Sequence, residues 1–246
     1  MRTLIRIPLL CLLFSTLYST SQAQDITKNS FGNGIRILAE DSSFSLKFSA
    51  RIQNLYEGEL NLETNAYEDG FQIRRSRLKF DGFAYSPKLK YKIELAISNT
   101  DTRSGSIPES GNVSNKVLDA LLKWAFAENW ELWFGQTKLP GNRERVISSQ
   151  ELQFVDRSNV NANFNLDRDA GVQLHYTGKK INLTGALSMG EGRNIIANNA
   201  GGYDYTFRTE YLPFGQFIDE GDYFGSDLAR EPKPKLSLGV TADFNA

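Results

Sequence analysis

The chain has 246 residues, of which 40% are hydrophobic and 12% aromatic, which is enough apolar material for a sizeable core or a barrel wall. Its formal net charge is −1, and loss of Arg2 and Arg6 with a cleaved leader would make it −3. Because nucleic-acid-binding chains are usually basic, we expect no nucleic-acid partner for this chain. Mean hydropathy is negative, but transmembrane barrels are also this polar because only every second strand residue faces lipid.

The N-terminus has the features of a secretory signal. A positively charged start and a mostly apolar stretch at Ile5–Tyr18 precede Ser21-Gln22-Ala23, where small residues suit signal peptidase. We therefore expect residues 1–23 to be a signal peptide cleaved after Ala23. The only cysteine, Cys11, lies inside it, so the exported chain would contain no disulfide.

Residues 24–43 form a polar lead-in, in which Ile35 and Ile37 indicate a short extra strand. The first full strand is predicted at Phe44–Glu57, where apolar and polar residues alternate. Its length suits a tilted membrane strand, which needs about 9–11 residues in the bilayer.

The hairpin Phe71–Ser98 organises the rest of the chain. It divides at Ser86-Pro87 into two alternating runs. Successive side chains of a strand point to opposite faces, so one face is apolar and the other carries six basic residues. Such a hairpin suits a soluble sheet, whose apolar face meets a core, and equally a barrel whose apolar face meets lipid and whose basic face lines a lumen.

Six further strands follow from the same alternation. They are predicted at 117–126, 130–137, 170–176, 181–189, 203–212 and 235–245. Short turns at 85–87, 127–129 and 178–180 alternate with long loops at 58–70, 99–116, 138–169 and 190–202. Bacterial outer-membrane barrels have this asymmetry.

Two further features bear on the barrel interpretation. Trp124, Trp130 and Trp133 cluster near one short turn, which suits an aromatic girdle at a membrane interface or ordinary cross-strand packing. Nine full strands is an odd number, whereas single-chain bacterial barrels have even numbers. We therefore expect residues 44–246 to be the N-terminal part of a longer barrel.

Three segments resemble the phosphate-selective porin O and P family: FQIRRSRLKF at 71–80, the stretch 134–173 with its run RERVISSQELQFVDRS, and SDLAREPKPKLSLG at 226–239. The resemblance implies an all-β antiparallel transmembrane barrel of sixteen strands in the outer membrane of a Gram-negative bacterium. It also implies a homotrimer that passes small anions such as phosphate or polyphosphate. The third external loop of that family folds into the lumen, and here it would be residues 138–169.

The candidate pore-lining residues are the basic side chains on the predicted inward faces and two on the inward loop. They are Lys47, Arg51, Arg75, Arg77, Lys79, Lys88, Lys90, Lys92 and Lys123 on strands, and Arg143 and Arg145 on the loop. The nine on strands outnumber five inward acids, Glu57, Asp81, Glu94, Asp119 and Glu131, which favours anions. Arg143, Arg145, Arg157 and Arg168 would either point into the pore or pair with Glu144, Glu151, Asp156 and Asp167.

The sequence favours a passive anion channel that needs no cofactor and binds no metal. The alternatives are a structural or adhesive barrel with a plugged lumen and, in third place, a soluble exported sheet protein. An enzyme is not expected, because the lone His175 on an inward face has only Ser188 and Asp204 on neighbouring strands and no motif marks a catalytic triad.

Replacing Arg75 and Arg77 by Glu is expected to lower the anion-to-cation permeability ratio, because both side chains would face the lumen. Replacing the outward Leu78 and Phe80 by Ser is expected to impair membrane insertion and to leave the selectivity of inserted channels unchanged. Reversal potentials in a salt gradient test both. An unchanged potential for the Glu pair would show that these arginines do not face the conducting path.

Overall fold

The structure is a computed structural model that describes residues 34–102, 116–195, 198–199 and 201–246. The predicted signal peptide, residues 24–33 of the lead-in and most of the predicted loop 99–116 lie outside these residues.

Ten antiparallel strands form one sheet in chain order, with β1 and β10 at its two edges. The strands are β1 Ile35–Leu38, β2 Phe44–Leu60, β3 Tyr67–Ala84, β4 Ser86–Ala96, β5 Val117–Ala127, β6 Trp130–Lys138, β7 Arg168–Thr177, β8 Ile181–Ser188, β9 Asp204–Tyr211 and β10 Leu238–Asn245. The predicted all-β antiparallel class is confirmed. There are ten strands because the short extra strand pairs with β2 along its whole length.

The helices are short. They are α1 Asn99–Thr102, α2 Arg143–Val146, α3 Asn159–Asn163 and a 3-10 turn at Ile218–Tyr223. Within the described ranges, no helix is long and apolar enough to cross a membrane.

The predicted acidic loop 58–70 is wrong over most of its length, because β2 and β3 continue and only residues 61–66 connect them. Polar side chains support this extension: the Tyr56 hydroxyl donates to Asp69 (2.8 Å) and lies 2.9 Å from the Tyr67 hydroxyl. An antiparallel ladder pairs backbone groups whatever the side chains, so acidic residues need not end it. The other predicted strands differ from the structure by three residues or fewer at each end, and the long loop is residues 139–167.

The pattern of burial along the strands is the reverse of that in a soluble sheet. In β9, Asp204, Thr206, Arg208 and Glu210 are buried, while the alternate residues, including Phe207, are exposed. Across the described residues, fifteen polar or charged side chains are buried but only six hydrophobic ones. We call the face that carries Arg208 the inner face and the opposite, apolar face the outer face.

A β-bulge interrupts the alternation in β3. Gln53 of β2 pairs with Arg75, but the next residue, Asn54, pairs with Ile73, so Arg74 has no partner in the ladder. On one side of such an extra residue, every side chain of the strand points to the opposite face of the sheet from the one that simple alternation predicts. As a result Arg74 and Arg75 reach the same acceptor, and upstream of the bulge the large apolar residues Tyr67, Phe71 and Ile73 are the odd-numbered ones.

Gly135 in β6 is expected to tolerate no side chain. Its φ of +123° is unfavourable for other residues, and a Cβ would lie 2.2 Å from the Ala120 carbonyl oxygen. Gly135→Ala should lower the free energy of unfolding in urea by about 1–3 kcal/mol. Gly70→Ala is the control, because a Cβ there meets nothing within 4 Å. Equal stability of the two variants would contradict this backbone account.

Candidate functional site

The long loop, residues 139–167, lies against the inner face and spans it from one side of the sheet to the other. On one side, the Ser149 hydroxyl accepts hydrogen bonds from Arg51 of β2 (2.8 Å) and Arg77 of β3 (3.3 Å). On the other, the Gly141 carbonyl accepts from Arg208 of β9 (2.6 Å). Whether this loop narrows a pore, as the resemblance implies, stays a prediction.

Side-chain caps give the loop its internal structure. The Asn142 side chain accepts from the backbone N–H of Arg145 at the start of α2, and the Ser158 hydroxyl does the same for α3. The Glu144 carboxylate accepts from both the backbone N–H (2.6 Å) and the hydroxyl of Ser158, which joins the two helices. The loop is therefore a packed unit.

Two cations are held by backbone carbonyls of the loop. The Lys138 ammonium donates to the carbonyls of Arg145 (3.0 Å) and Ile147 (3.1 Å). The Arg157 guanidinium donates to the carbonyls of Glu144 (3.0 Å) and Ile147 (2.8 Å). Since both cations contact the Ile147 oxygen, their nitrogens lie within about 6 Å of each other. A carbonyl oxygen carries only a partial negative charge, so these hydrogen bonds do not neutralise the two side chains.

Arg74 and Arg75 attach the loop to β3. Arg75 donates to the Val155 carbonyl (2.7 Å) and to the Asp156 carboxylate (2.7 Å), and Arg74 lies 2.6 Å from the same carboxylate. Partial burial acts to raise the pKa of Asp156, but the two arginines outweigh it and hold this pKa below its ordinary value. Arg75 is only 3% exposed, so it serves as an anchor of the loop and not as a free pore cation.

Arg77 is also neutralised. It makes two hydrogen bonds to Asp101 of α1 (2.7 and 2.8 Å) and contacts Glu94 (3.1 Å). Burial acts to raise the pKa of Asp101, yet the hydrogen bonds and charge of Arg77 lower it overall. The Arg75 and Arg77 replacements predicted above would therefore also release the loop and α1 from β3.

Asp119 of β5 is the centre of a buried charge cluster. It is 1% exposed, pairs with Lys92, and accepts a hydrogen bond from Arg168 Nε (2.8 Å). Lys92 also lies 3.2 Å from Glu94. A buried charge is costly unless it is paired and hydrogen-bonded, and here each member meets that condition.

Lys123 joins an aromatic stack on the inner face. Its ammonium lies 3.5 Å from the centroid of the Trp133 ring, which stacks on His175 at 3.9 Å. Trp133 is therefore not part of an outward cluster with Trp124 and Trp130, because its ring lies against Lys123 and His175 on the inner face. Each of those two tryptophans has its own outer neighbour instead, Phe126 and Tyr176.

The remaining predicted residues lie toward the short-turn ends of the strands. Lys79 pairs with Asp81 (3.0 Å) and Lys90 with Glu131 (3.5 Å). Lys47 stands opposite Asp81 in the ladder, and Lys88 is exposed at the start of β4. The structure thus separates the predicted residues into ion-paired and unpaired groups, which alternation alone could not do.

The loop arginines differ in their partners. Arg145 pairs with Asp167, as the sequence had suggested, and Arg168 uses Asp119 and more distantly Asp167. Arg143 instead contacts Glu210 and Asp222 (both 2.7 Å), which were not among its expected partners.

A cavity of about 410 Å³ lies between the long loop and the inner face. Eight basic residues line it: Arg77, Lys92, Lys123, Lys138, Arg145, Arg157, Arg168 and Arg208. Five acids line it as well: Glu94, Asp119, Glu210, Glu220 and Asp222. Three of these eight basic residues, Lys123, Lys138 and Arg157, have no carboxylate of the described residues within ion-pair distance. The wall therefore carries an excess of positive charge.

Sequence reasoning missed Lys138, and it missed Arg208 as a neighbour of the loop. The position of Lys138 immediately before the long loop was the available signal. The possible triad is not assembled: Ser188 contacts Asp204 (3.4 Å), whereas His175 contacts Gln173 (3.1 Å) and Thr184 (3.3 Å).

Comparison with known protein families gives a match. The model of the family described as phosphate-selective porin O and P matches residues 46–220, more than two thirds of the chain. A search of curated proteins found no match.

Acidification should loosen the long loop. A carboxylate with a lowered pKa contributes stability that is present above its ordinary pKa, about 3.9, and lost as the pH falls through the lower value in the folded protein. Asp156 meets this condition, so proteolysis within residues 147–157 should increase below about pH 4 and not between pH 5 and 8. Asp156→Asn should show the increased cleavage already at neutral pH. Equal cleavage of this variant and the wild type would refute the anchoring role of Asp156.

Proposed function

Because this chain belongs to the phosphate-selective porin O and P family of outer-membrane channels, we propose that it passes small anions, with phosphate among them, by passive diffusion. The lumen would be bounded by the inner face of the sheet, with the outer face toward lipid. The family supports a channel and not an enzyme. Signal cleavage after Ala23 and assembly as a homotrimer are further proposals that rest on the resemblance.

The observation that carries this proposal is the basic cavity between the long loop and the inner face. Its eight basic and five acidic wall residues leave a positive excess, and three of the cations have no carboxylate partner in the described part of the chain. Charge in a narrow, partly desolvated space acts more strongly than the same charge in open water. The cavity therefore attracts anions and repels cations.

Arg157 is the proposed primary contact for the anion, and Lys138 lies beside it. Burial lowers the pKa of Arg157, and the neighbouring Arg75 and Arg168 lower it further, which shows how much positive charge converges there. Arg157 keeps N–H groups that the loop carbonyls do not use, and these can donate to a phosphate oxygen. All three N–H groups of Lys138 are directed at the carbonyls of Arg145, Val146 and Ile147, so Lys138 acts on the anion through its charge. Arg favours two-point contact with a phosphate, whereas Lys acts as a point charge.

Carboxylates in the same wall keep this attraction moderate. Asp119 and Glu94 already neutralise Lys92, Arg77 and Arg168, so the anion meets a few free charges and not a full ladder. Conduction requires binding that is favourable enough for entry and weak enough for release. A wall of paired charges with a few unpaired cations suits both requirements.

The alternative is a structural or adhesive barrel with a plugged lumen. The packed long loop, hydrogen-bonded to both sides of the inner face, is the observation that favours it. The two functions differ in one property: a conducting porin passes current across a planar bilayer, whereas a plugged barrel inserts stably and stays silent.

Removing one unpaired cation should weaken anion recognition. Arg157→Gln is expected to raise the phosphate concentration that half-blocks chloride current by roughly tenfold, since one charge-assisted hydrogen bond contributes about 1.5 kcal/mol. Lys138→Gln is expected to raise it by less, because loop carbonyls use the three N–H groups of Lys138. Lys179→Gln, an exposed change in the β7–β8 turn, is the matched control and should have no effect. Identical block in all four proteins would place the anion elsewhere.

A further inference from the structure

The segment between β9 and β10, residues 212–237, begins at the end of the sheet opposite to the long loop. In an antiparallel meander successive connections alternate between the two ends of the strands. The β9–β10 segment therefore shares its end with the short turns at 128–129 and 178–180. Contacts agree with this: the Leu212 N–H donates to the Lys180 carbonyl (2.7 Å), and the Gln216 side chain donates to the Gly178 carbonyl (2.5 Å).

The same segment nevertheless meets the long loop. The backbone N–H of Gly225 donates to the carbonyl of Glu151 (2.6 Å). A Cβ at Gly225 would lie 2.4 Å from the backbone nitrogen of Gln153, so the approach is close enough to require glycine. Two connections from opposite ends of the strands can touch in this way only if at least one of them follows the inner face.

A charged cluster joins the two segments, and we call it the clasp: Arg143, Glu210, Asp222 and Tyr223. Arg143 contacts the carboxylates of Glu210 and Asp222 at 2.7 Å each and the Asp222 carbonyl at 2.6 Å. The Tyr223 hydroxyl donates to Glu210 (2.8 Å), and its ring lies 4.4 Å from the guanidinium carbon of Arg143.

The electrostatics of the clasp favour its charged form. Burial acts to lower the pKa of Arg143, but hydrogen bonding to Asp222 and the charge of Glu210 outweigh it, so this pKa is raised. Burial, and then the charge of Glu210, raises the pKa of Tyr223. At neutral pH Arg143 is therefore charged and Tyr223 keeps its hydroxyl proton, which are the states that the contacts of the clasp require.

Backbone strain beside the clasp is a further sign that the segment is held in place. Asp219 and Glu220 have φ of +49° and +55°, a left-handed conformation that side chains other than glycine seldom adopt. Such conformations persist only where surrounding contacts enforce them. The neighbouring Asp222 supplies such contacts through Arg143.

We propose that the β9–β10 segment is a second inward-folding element, which the clasp fastens to the long loop so that the two close the lumen from both ends. This inference rests on the proposed channel function. Glu220 and Asp222 border the basic cavity, so the segment occupies space and places negative charge beside the anion route. Opening the clasp releases the segment and increases the current.

The test uses introduced cysteines, because Cys11, the only cysteine of this sequence, lies in the predicted signal peptide. Arg143→Cys and Asp222→Cys are made singly and together in the full chain, and a short bifunctional thiol-reactive linker joins the pair. The unlinked pair should show at least twofold larger single-channel conductance than the wild type, and linking should return it toward the wild-type value. Neither single variant should respond to the linker in this way. Asp222→Asn, which keeps the side-chain shape, should also increase conductance.

Two results would overturn the proposal. One is a cross-linked pair, verified by peptide mass, whose conductance equals that of the unlinked pair. The other is a pair in which both thiols react with a monofunctional reagent but never with each other through the linker. A silent wild-type protein that still cross-links would refute the proposed channel function and would support the contact between the two segments.

Discussion

The need to compensate buried charge governs this structure. The inner face carries arginines that are almost inaccessible, such as Arg75 at 3% exposure and Arg168 at 4%. An isolated charge in such a place costs several kcal/mol, so each guanidinium must find carboxylates or carbonyls. Some of these acceptors lie on neighbouring strands, and others belong to the long loop. The loop is therefore held against the sheet by the same charges that make the inner face basic.

This constraint explains why, in the described part of the chain, only a few of the cations that line the cavity are free. Pairing consumes Arg77 and Arg168, whose positions are set by strands, through Asp101 and Asp119. Lys138 and Arg157 escape cancellation because their acceptors are carbonyls, which satisfy hydrogen bonds without supplying a full negative charge. Under the proposed function, selectivity depends on a small group of residues on and beside the loop, while the paired majority forms the wall that positions them.

Much of the sheet could be predicted from the sequence, since period-two alternation is a local property. This alternation directly predicts that the side chains of Lys92, Lys123 and Arg208 point to the inner face. The bulge at Arg74 could not be predicted, because one extra residue in an alternating run leaves no compositional mark. The length of β2 and β3 was underestimated, because acidic residues suggested a loop where backbone pairing simply continues.

The candidate site was only partly predictable for a different reason. Arg75 meets Asp156, which is 81 residues away, and Arg143 meets Glu210 and Asp222, which are 67 and 79 residues away. No local pattern reports such partners, so the sequence identified basic residues without showing which of them are neutralised. The role of residues 212–237 was hidden likewise, because nothing in that irregular stretch indicates that it reaches the long loop.

The most direct test of the account is the zero-current potential of the wild-type protein in a planar bilayer with a steep potassium chloride gradient. A lumen lined by unpaired cations predicts a zero-current potential of the sign that chloride permeation sets. The magnitude of this potential should decrease as rising salt screens the charges. A potential of the sign set by potassium would contradict the central claim that the inner face forms an anion-selective passage.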